Sequence, residues 1–292
     1  MSQKILIIGA TGRVGIELVR LLIEKGEAVR AATRNLTKAS ASIPRFAEVT
    51  EFDFDRPDTF TPALKGIDKV FLIARPGDNH SDKVAIPFID EAKKERVRLI
   101  VNLTAMGVEQ DDSFALRLIE KYIEASGIAF VHLRPNWFMQ NFNSGPMFTD
   151  IRATGALHLP AADAKVSFID IRDIAAVGLA ALTDPRHTGS ALTLTGGEAL
   201  DHYEVVNILS QTAGKAIDYI PLSEEVACAA LENAGVAAEL IERWTKFYRL
   251  VRQGQCESVT HHVESVLGRP TITFEQYAKD YASSWKQSKI NL

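Results

Sequence analysis

Three glycines, Gly9, Gly12 and Gly15, each separated from the next by two residues, follow the apolar run of residues 5–8. Glycine lets a backbone adopt positive φ or approach a pyrophosphate closely, and a helix that begins at such a turn offers free N–H groups to an anion. A glycine-rich turn can also be merely tight, but here a helical apolar pattern follows it. We therefore predict a dinucleotide-binding turn, with contacts from Gly9, Thr11, Gly12, Arg13 and Val14.

The end of the second apolar run indicates which dinucleotide binds. In NAD-binding versions of such folds, an acidic residue about 20 residues past the glycines binds the ribose hydroxyls. Here the tip reads Thr33-Arg34, with Lys38 one turn further on. A guanidinium suits a 2′-phosphate, which a carboxylate would repel. The pattern favours NADP bound by Thr33, Arg34 and Lys38; the alternative is that both cations are solvated surface residues.

Further candidates stand where other predicted strands end. Asp53 and Phe54 follow the third run, where they would flank the adenine, although an aspartate there also suits a helix cap. Ala74 and Arg75 follow the fourth run, near the expected ribose and pyrophosphate, and Thr104 follows the fifth, where its hydroxyl would face the nicotinamide. For Arg75 and Thr104, capping of the strand end is an equal alternative.

An aromatic segment begins directly after Pro135. Trp137 and Phe138 offer flat surfaces for a planar ligand, and Asn136 before them is assigned to the cofactor. Core packing is an equal alternative for both aromatic residues, and it is the favoured interpretation for Phe142. It is likewise favoured for Phe148 and for the helical stripe that contains Trp244 and Tyr248.

Seven short apolar runs must position these residues: 4–8, 28–32, 48–52, 69–73, 98–103, 129–133 and 191–194. They alternate with helical patterns, which predicts an α/β fold: a Rossmann-type doubly wound parallel sheet with a small, mainly helical C-terminal substrate domain. We assign 1–135 and about 166–196 to an NADP-binding domain, and 136–165 and 197–292 to the substrate domain. Residues 136–163 are expected to be irregular before regular order resumes near residue 166, and 219–222 is a further strand candidate.

Composition excludes several classes of function. The chain of 292 residues is 46% hydrophobic and 24% charged, with a formal net charge of −4 and no basic stripe, so we expect neither a nucleic-acid nor a membrane partner. No apolar run approaches the roughly 20 residues that span a bilayer, and a signal-peptide pattern is absent; we expect a cytoplasmic protein. Cys228 and Cys256 match no metal or disulfide spacing, so no metal is expected. A homodimer stays an open alternative.

Several of these segments together resemble the NmrA-like, atypical short-chain dehydrogenase/reductase family. The segments are the glycine motif, Thr33-Arg34-Asn35, Asp53-Phe54, Leu133-Arg134-Pro135 with Trp137-Phe138, and residues 170–175. Within the family, the chain is most similar to NADPH-dependent quinone and triphenylmethane-dye reductases and to the festuclavine dehydrogenase group. The resemblance implies a Rossmann domain, NADP binding and a small C-terminal substrate domain. The family also contains redox sensors that bind the dinucleotide without turning it over.

The usual proton donor of short-chain dehydrogenases is missing. No Tyr-x-x-x-Lys occurs in the chain, and Leu116 stands four residues before Glu120, where many relatives have lysine or histidine. Reduction of an ordinary ketone needs a positioned acid, whereas a cationic iminium or a quinone accepts hydride without a strong one. His158 is the one histidine that we consider as a donor.

These observations predict an NADPH-dependent oxidoreductase that transfers hydride to a small planar electrophile of quinone, dye or iminium type. Thr104, Trp137 and His158 are the candidate catalytic residues. The principal alternative is a catalytically silent NADP-binding sensor. A sugar-nucleotide epimerase is the least favoured alternative, because it would need the same missing tyrosine.

Overall fold

The computed structural model describes residues 3–37, 43–75 and 77–286, so Lys38 lies outside the described residues. The strands are β1 (Lys4–Ile7), β2 (Ala28–Thr33), β3 (Glu48–Glu51), β4 (Lys69–Ile73), β5 (Leu99–Leu103), β6 (Ala129–Pro135), β7 (Ala156–Leu159), β8 (Ser190–Leu194) and β9 (Asp218–Pro221). The helices are α1 (Arg13–Glu24), α2 (Phe60–Leu64), α3 (Ser81–Lys94), α4 (Ala115–Ser126), α5 (Pro146–Thr154), α6 (Ile171–Thr183), α7 (His202–Ala213), α8 (Glu224–Asn233), α9 (Ala238–Arg252), α10 (His262–Leu267), α11 (Phe274–Asp280) and α12 (Ser283–Lys286). Short 3₁₀ turns occur between some of them.

Seven strands form one parallel sheet in the order β3-β2-β1-β4-β5-β6-β8. The order reverses between β1 and β4, which is the switch point of a doubly wound sheet. All seven strands coincide with the predicted apolar runs to within about two residues, because strands buried on both faces read as continuous apolar segments. The predicted Rossmann-type fold is confirmed.

Each face of this sheet is covered by helices. On one face, an apolar cluster joins strand residues such as Leu6 and Ile100 to α2, α3 and α4, with Phe88 and Ile119 among its buried members. On the other face α1 packs against α6, where a Cβ on Gly178 would lie 3.2 Å from the Phe71 ring. Both helix layers cover the faces of the sheet. The loops that carry the predicted site lie at the carboxyl ends of the strands.

The chain forms two compact units. The first comprises Met1–Pro135, Ile171–Leu194 and His262–Arg269; the second comprises Asn136–Asp170, Thr195–His261 and Pro270–Leu292. The returning segment of the first unit is thus 171–194, where the sequence predicts about 166–196. The segment 262–269, which the sequence prediction gives to the substrate domain, also belongs to the first unit. The assignment of one unit to the cofactor and the other to the substrate stays a prediction.

Residues 136–163 are more regular than expected. The segment contains α5, which begins at Pro146, and β7, which pairs in parallel with β9 in a separate two-stranded sheet. Proline suits the first position of a helix, and this signal was missed. Conversely, residues 166–169 form only isolated bridges, from Val166 to Leu200 and from Ile169 to Phe138. The apolar run of β7 is interrupted by His158, so it did not stand out from the neighbouring loops.

Neither a membrane-spanning helix nor a metal-binding cluster occurs in the described ranges. None of the helices there combines the length and apolar character that crossing a bilayer requires. Histidine, cysteine, aspartate and glutamate side chains form no group of three or more suited to a metal ion within those ranges.

The core of the second unit contains a buried histidine. His202 is 1% exposed, and its ring lies 5.7 Å from that of Phe168 and 5.4 Å from that of Tyr219. Burial lowers the pKa of the His202 imidazole from 6.5 to about 4, because the charged form loses its hydration. Between these two pH values, the unfolded chain therefore binds a proton that the folded chain does not bind. The free energy of unfolding decreases as pH falls from about 6.5 towards 4.

Replacing His202 with leucine should flatten this pH dependence. Between pH 7 and pH 4.5 the wild-type protein should lose about 2.5 kcal/mol more unfolding free energy than His202→Leu, as the two pKa values require. Urea denaturation at both pH values measures the difference. The exposed His80 supplies a matched control, since His80→Leu should keep the wild-type slope. Equal slopes for His202→Leu and the wild type would contradict the assignment.

Candidate functional site

The glycine turn, residues 9–15, connects β1 to α1. Gly9 adopts φ +78°, and its carbonyl accepts a hydrogen bond of 2.9 Å from the Gly12 N–H. A Cβ on Gly15 would lie 2.1 Å from the Gly9 carbonyl oxygen, so only glycine fits there. Gly12 is the N-cap of α1, and no side chain caps the first turn. The helix dipole and these N–H groups are therefore available to an anion.

The other predicted residues of this turn differ in what they can offer. Thr11 and Arg13 are exposed, whereas Val14 is 4% exposed and belongs to the core. Val14 can thus contribute only its backbone N–H.

Thr33 and Arg34 follow β2, the neighbour of β1. The Thr33 hydroxyl accepts from the Asn35 N–H at 3.1 Å, which fixes the turn after the strand. Arg34 is exposed and forms no ion pair with any side chain of the described ranges. Within the described residues, the Arg34 guanidinium is therefore unpaired at the tip where the sequence predicts a 2′-phosphate.

Asp53 and Phe54 follow β3. One carboxylate oxygen of Asp53 accepts from the Asp55 N–H at 3.1 Å, so this side chain stabilises the turn after β3 and is not the N-cap of the 3₁₀ turn that follows. Phe54 is 9% exposed and packs edge-on against Phe52, with ring centroids 4.9 Å apart. Contact of either residue with an adenine stays a prediction, and Phe54 already has a core role.

Ala74 and Arg75 follow β4. Ala74 is buried in the apolar cluster, so it offers backbone groups only. The Arg75 guanidinium lies 2.6 Å from an oxygen of Asp55, which follows β3, and 3.8 Å from one of Asp78. This ion pair, which the sequence analysis missed, joins the loops after β3 and β4. Spacing in the sequence could not reveal it, because the partners are 20 positions apart.

Thr104 follows β5 and donates its hydroxyl proton to Glu120 on α4, at 2.8 Å. Glu120 is completely buried and also accepts from Arg134 and Arg117. We call Thr104, Arg117, Glu120 and Arg134 the Glu120 network. Leu116, one turn before Glu120, packs against the apolar cluster and cannot transfer a proton. Sequence reasoning assigned no role to Glu120, Arg117 or Arg134.

Asn136 and Trp137 belong to the second unit. The Asn136 amide nitrogen donates to the Ser167 hydroxyl and to the Cys256 carbonyl, both at 2.8 Å. This side chain therefore connects three segments of the second unit by hydrogen bonds. Trp137 is half-buried, and its ring lies 5.3 Å from that of Tyr248. Burial raises the pKa of the Cys256 thiol to about 11. Trp137 therefore has contacts in the core of the second unit and also an accessible surface. It is compatible with core packing and with binding of a planar ligand.

His158 is also in the second unit, on β7. Its Nδ1 lies 3.1 Å from a carboxylate oxygen of Asp150 on α5, and its backbone N–H donates to the same oxygen at 2.8 Å. Asp150, which sequence reasoning missed, thus orients the imidazole and leaves Nε2 as the nitrogen available to other groups. His158 is not on the seven-stranded sheet, and its role as a proton donor stays a prediction.

The described cofactor candidates of the first unit converge on one edge. The glycine turn, Thr33-Arg34, Asp53-Phe54, Ala74-Arg75 and Thr104 follow β1 to β5, whose carboxyl ends share one side of the parallel sheet. In open α/β sheets, ligands bind at this edge, beside the switch point. The arrangement defines the first unit as an α/β module of Rossmann type, and dinucleotide binding at this edge stays a prediction.

Comparison with known proteins identifies the family. The model of the NmrA-like family matches residues 1–278, so the chain belongs to the NmrA-like family, as the sequence motifs predict. The NAD(P)H azoreductase of Xenophilus azovorans is 34% identical over 286 residues, covering 96% of this chain and 99% of the relative.

Solved structures share the fold over the whole length. The Citrobacter triphenylmethane reductase complexed with NADP(H) superposes with a TM-score of 0.84 at 22% identity, covering 95% of this chain and 99% of the other. The NADPH-dependent quinone oxidoreductase of Escherichia coli, complexed with NADPH, gives a TM-score of 0.83 at 24% identity, covering 94% and 99%. At these identities the likeness is one of fold.

Proposed function

We propose that this chain is an NADPH-dependent reductase that transfers hydride to a planar electrophile of quinone, dye or iminium type. The broader class is supported by the azoreductase relative and by the reductases that share the fold: the chain is an NAD(P)H-dependent oxidoreductase. The observation that carries the proposal is the glycine turn, where the required Gly15 and an uncapped α1 form a cradle for a pyrophosphate.

The exposed guanidinium of Arg34 supports NADPH over NADH. The tip of β2 presents Arg34 and no carboxylate, so it favours a phosphate on the ribose 2′ position and lacks the acidic residue that binds the ribose hydroxyls in NAD-binding folds. The Arg75 guanidinium at the same edge is already paired with Asp55. Arg34 is therefore the residue on which we expect the distinction between the two dinucleotides to depend.

The dinucleotide, when bound, supplies the hydride and its two electrons. The described candidates at the carboxyl edge of the sheet would hold it without supplying a strong acid, because the Thr104 hydroxyl proton is hydrogen-bonded to Glu120 and Leu116 is apolar. An iminium carbon that gains hydride becomes a neutral amine, and a quinone becomes a phenolate that takes its proton from water. Such reactions depend on positioning and on exclusion of water more than on general acid catalysis.

The test is a titration followed by an acceptor panel. NADPH and NADH are titrated against the protein, and the loss of nicotinamide absorbance is then followed with quinones, cationic dyes, azo dyes and cyclic iminium compounds. Turnover with NADPH and at least one planar acceptor is the expected result. Binding of NADPH without turnover across the panel would leave a silent sensor as the better explanation.

Removing the indole of Trp137 should lower turnover more than cofactor affinity. Trp137→Ala deletes an aromatic surface that we assign to the acceptor, so kcat/KM for the acceptor should fall by at least tenfold while the Kd for NADPH changes less than twofold. Stopped-flow kinetics and fluorescence titration measure the two quantities. Phe148→Ala, another half-buried ring of the second unit, is the control that should lower stability alone. Equal loss of kcat/KM in both variants would favour the core interpretation.

A further inference from the structure

Glu120 is a completely buried carboxylate with four hydrogen bonds. Its Oε1 accepts from the Thr104 hydroxyl at 2.8 Å and from Arg134 Nε at 3.0 Å. Its Oε2 accepts from Arg134 Nη2 at 2.7 Å and from Arg117 Nη1 at 2.9 Å. The bidentate Arg134 contact sets the plane of the carboxylate, so Oε1 has a defined position beside Thr104.

The Glu120 carboxylate stays ionised. Burial alone would raise the pKa of this carboxyl, but hydrogen bonds from Arg134 and Thr104, together with nearby positive charge, hold the pKa below its ordinary value. An ionised carboxylate can only accept hydrogen bonds. The hydrogen between Thr104 Oγ1 and Glu120 Oε1 therefore belongs to the threonine.

This contact fixes the hydrogen-bonding polarity of Thr104. A hydroxyl has one proton and two lone pairs, and the other acceptor near Oγ1, the Leu133 carbonyl, is 3.4 Å away. A charge-assisted bond of 2.8 Å outcompetes it. With its proton directed at Glu120, Thr104 can accept a further hydrogen bond but cannot donate one to a developing oxyanion.

The position of Thr104 indicates which donor it meets. In a doubly wound sheet the two mononucleotide halves of the cofactor lie on either side of the switch point, here between β1 and β4. The glycine turn and Arg34 are on the adenylate side, so β5 and Thr104 are on the nicotinamide side. The nicotinamide carboxamide is the N–H donor of that half.

We propose that Thr104 accepts a hydrogen bond from the nicotinamide carboxamide, and that Glu120, held by Arg134 and Arg117, is the positioning residue that makes Thr104 an acceptor. This inference rests on the proposed function, because it requires NADPH at the carboxyl edge of the sheet. It also assigns Thr104 to orientation of the nicotinamide and removes it as a proton donor.

The test compares two dinucleotides that differ in this donor. Reduced 3-acetylpyridine adenine dinucleotide phosphate carries an acetyl group in place of the carboxamide and therefore lacks the N–H. We expect the wild type to bind NADPH about fivefold more tightly than this analogue, the value of one ordinary hydrogen bond. Thr104→Val should abolish the preference by weakening NADPH alone, and Thr104→Ser should restore it. Thr183→Val, which removes a hydroxyl at the end of α6, should keep the wild-type preference.

Glu120 is tested by Glu120→Asp, which keeps the charge but shortens the side chain by one methylene. The preference for NADPH over the analogue should fall towards that of Thr104→Val, because the shorter carboxylate no longer fixes the hydroxyl. A lower Tm with an unchanged preference would show that Glu120 is only structural and would overturn its positioning role.

Two outcomes separate this inference from the proposed function. If the wild type binds neither dinucleotide, the proposed function fails. If both bind, and Thr104→Val weakens both equally or neither, the proposed function stands and the role of Thr104 is wrong.

Discussion

Replacing Arg34 with glutamate should weaken NADPH binding about 100-fold and change NADH binding less than threefold. Arg34 is exposed at the end of β2 and has no ion-pair partner in the described part of the chain, so its charge is available to the 2′-phosphate. Loss of charge-assisted hydrogen bonds costs about 1.5–3 kcal/mol, and the new carboxylate adds repulsion. NADH lacks the phosphate and presents ribose hydroxyls that a glutamate can bind.

Fluorescence titration of both dinucleotides against the variant measures this change in specificity. Arg186→Glu is a control with the same change of charge, in the turn that precedes β8 and thus at the amino end of that strand. It should leave both Kd values within twofold of the wild type. Equal losses for NADPH and NADH in Arg34→Glu, or no loss, would show that Arg34 does not contact the phosphate.

Glu120→Gln should destabilise the protein by about 3–5 kcal/mol. The substitution keeps the size of the side chain but removes the charge that pairs with Arg134 and Arg117, whose side chains are 11% and 17% exposed. Removal of one member of a buried ion pair leaves the other charge without compensation, which is far more costly than loss of a surface pair. The amide nitrogen of glutamine would also face a donor.

Urea denaturation at pH 7 measures this loss. Glu124→Gln is the matched control, since Glu124 lies one turn later on α4 and also pairs with Arg117, but is 35% exposed. Its replacement should cost about 1 kcal/mol or less, because solvent screens the pair. If the two variants lost similar amounts of unfolding free energy, the Glu120 network would stabilise the fold no more than a solvent-exposed ion pair does.

The large sheet could be predicted from the sequence because its signals are local. A strand buried on both faces is a continuous apolar run, and a turn such as residues 9–15 restricts its own residue types. The pair β7–β9 could not be predicted in the same way, since the apolar run Ala156–Leu159 is interrupted by His158 and its partner lies some 60 positions away. Its pairing depends on the packing of the second unit.

The candidate site shows the same difference between local signals and contacts that only the fold creates. Arg34 and the glycine turn were predicted because their chemistry is carried by adjacent residues. The partners that define the polarity or charge of other candidates were missed: Asp55 for Arg75, Asp150 for His158 and Glu120 for Thr104. Each partner is a common acidic residue on another element, and only the fold brings it within hydrogen-bonding distance. The sequence therefore indicates where Thr104 lies, but it does not show that the hydroxyl proton of Thr104 is already donated to Glu120.

The raised pKa of the Cys256 thiol bears on the quinone acceptors that we propose. Quinones are Michael acceptors that alkylate thiolates, and the thiol form reacts far more slowly. With a pKa of about 11, roughly one Cys256 side chain in 10,000 is a thiolate at pH 7. The burial that keeps this sulfur protonated thus also protects Cys256 itself from alkylation by the electrophiles that we assign to the second unit.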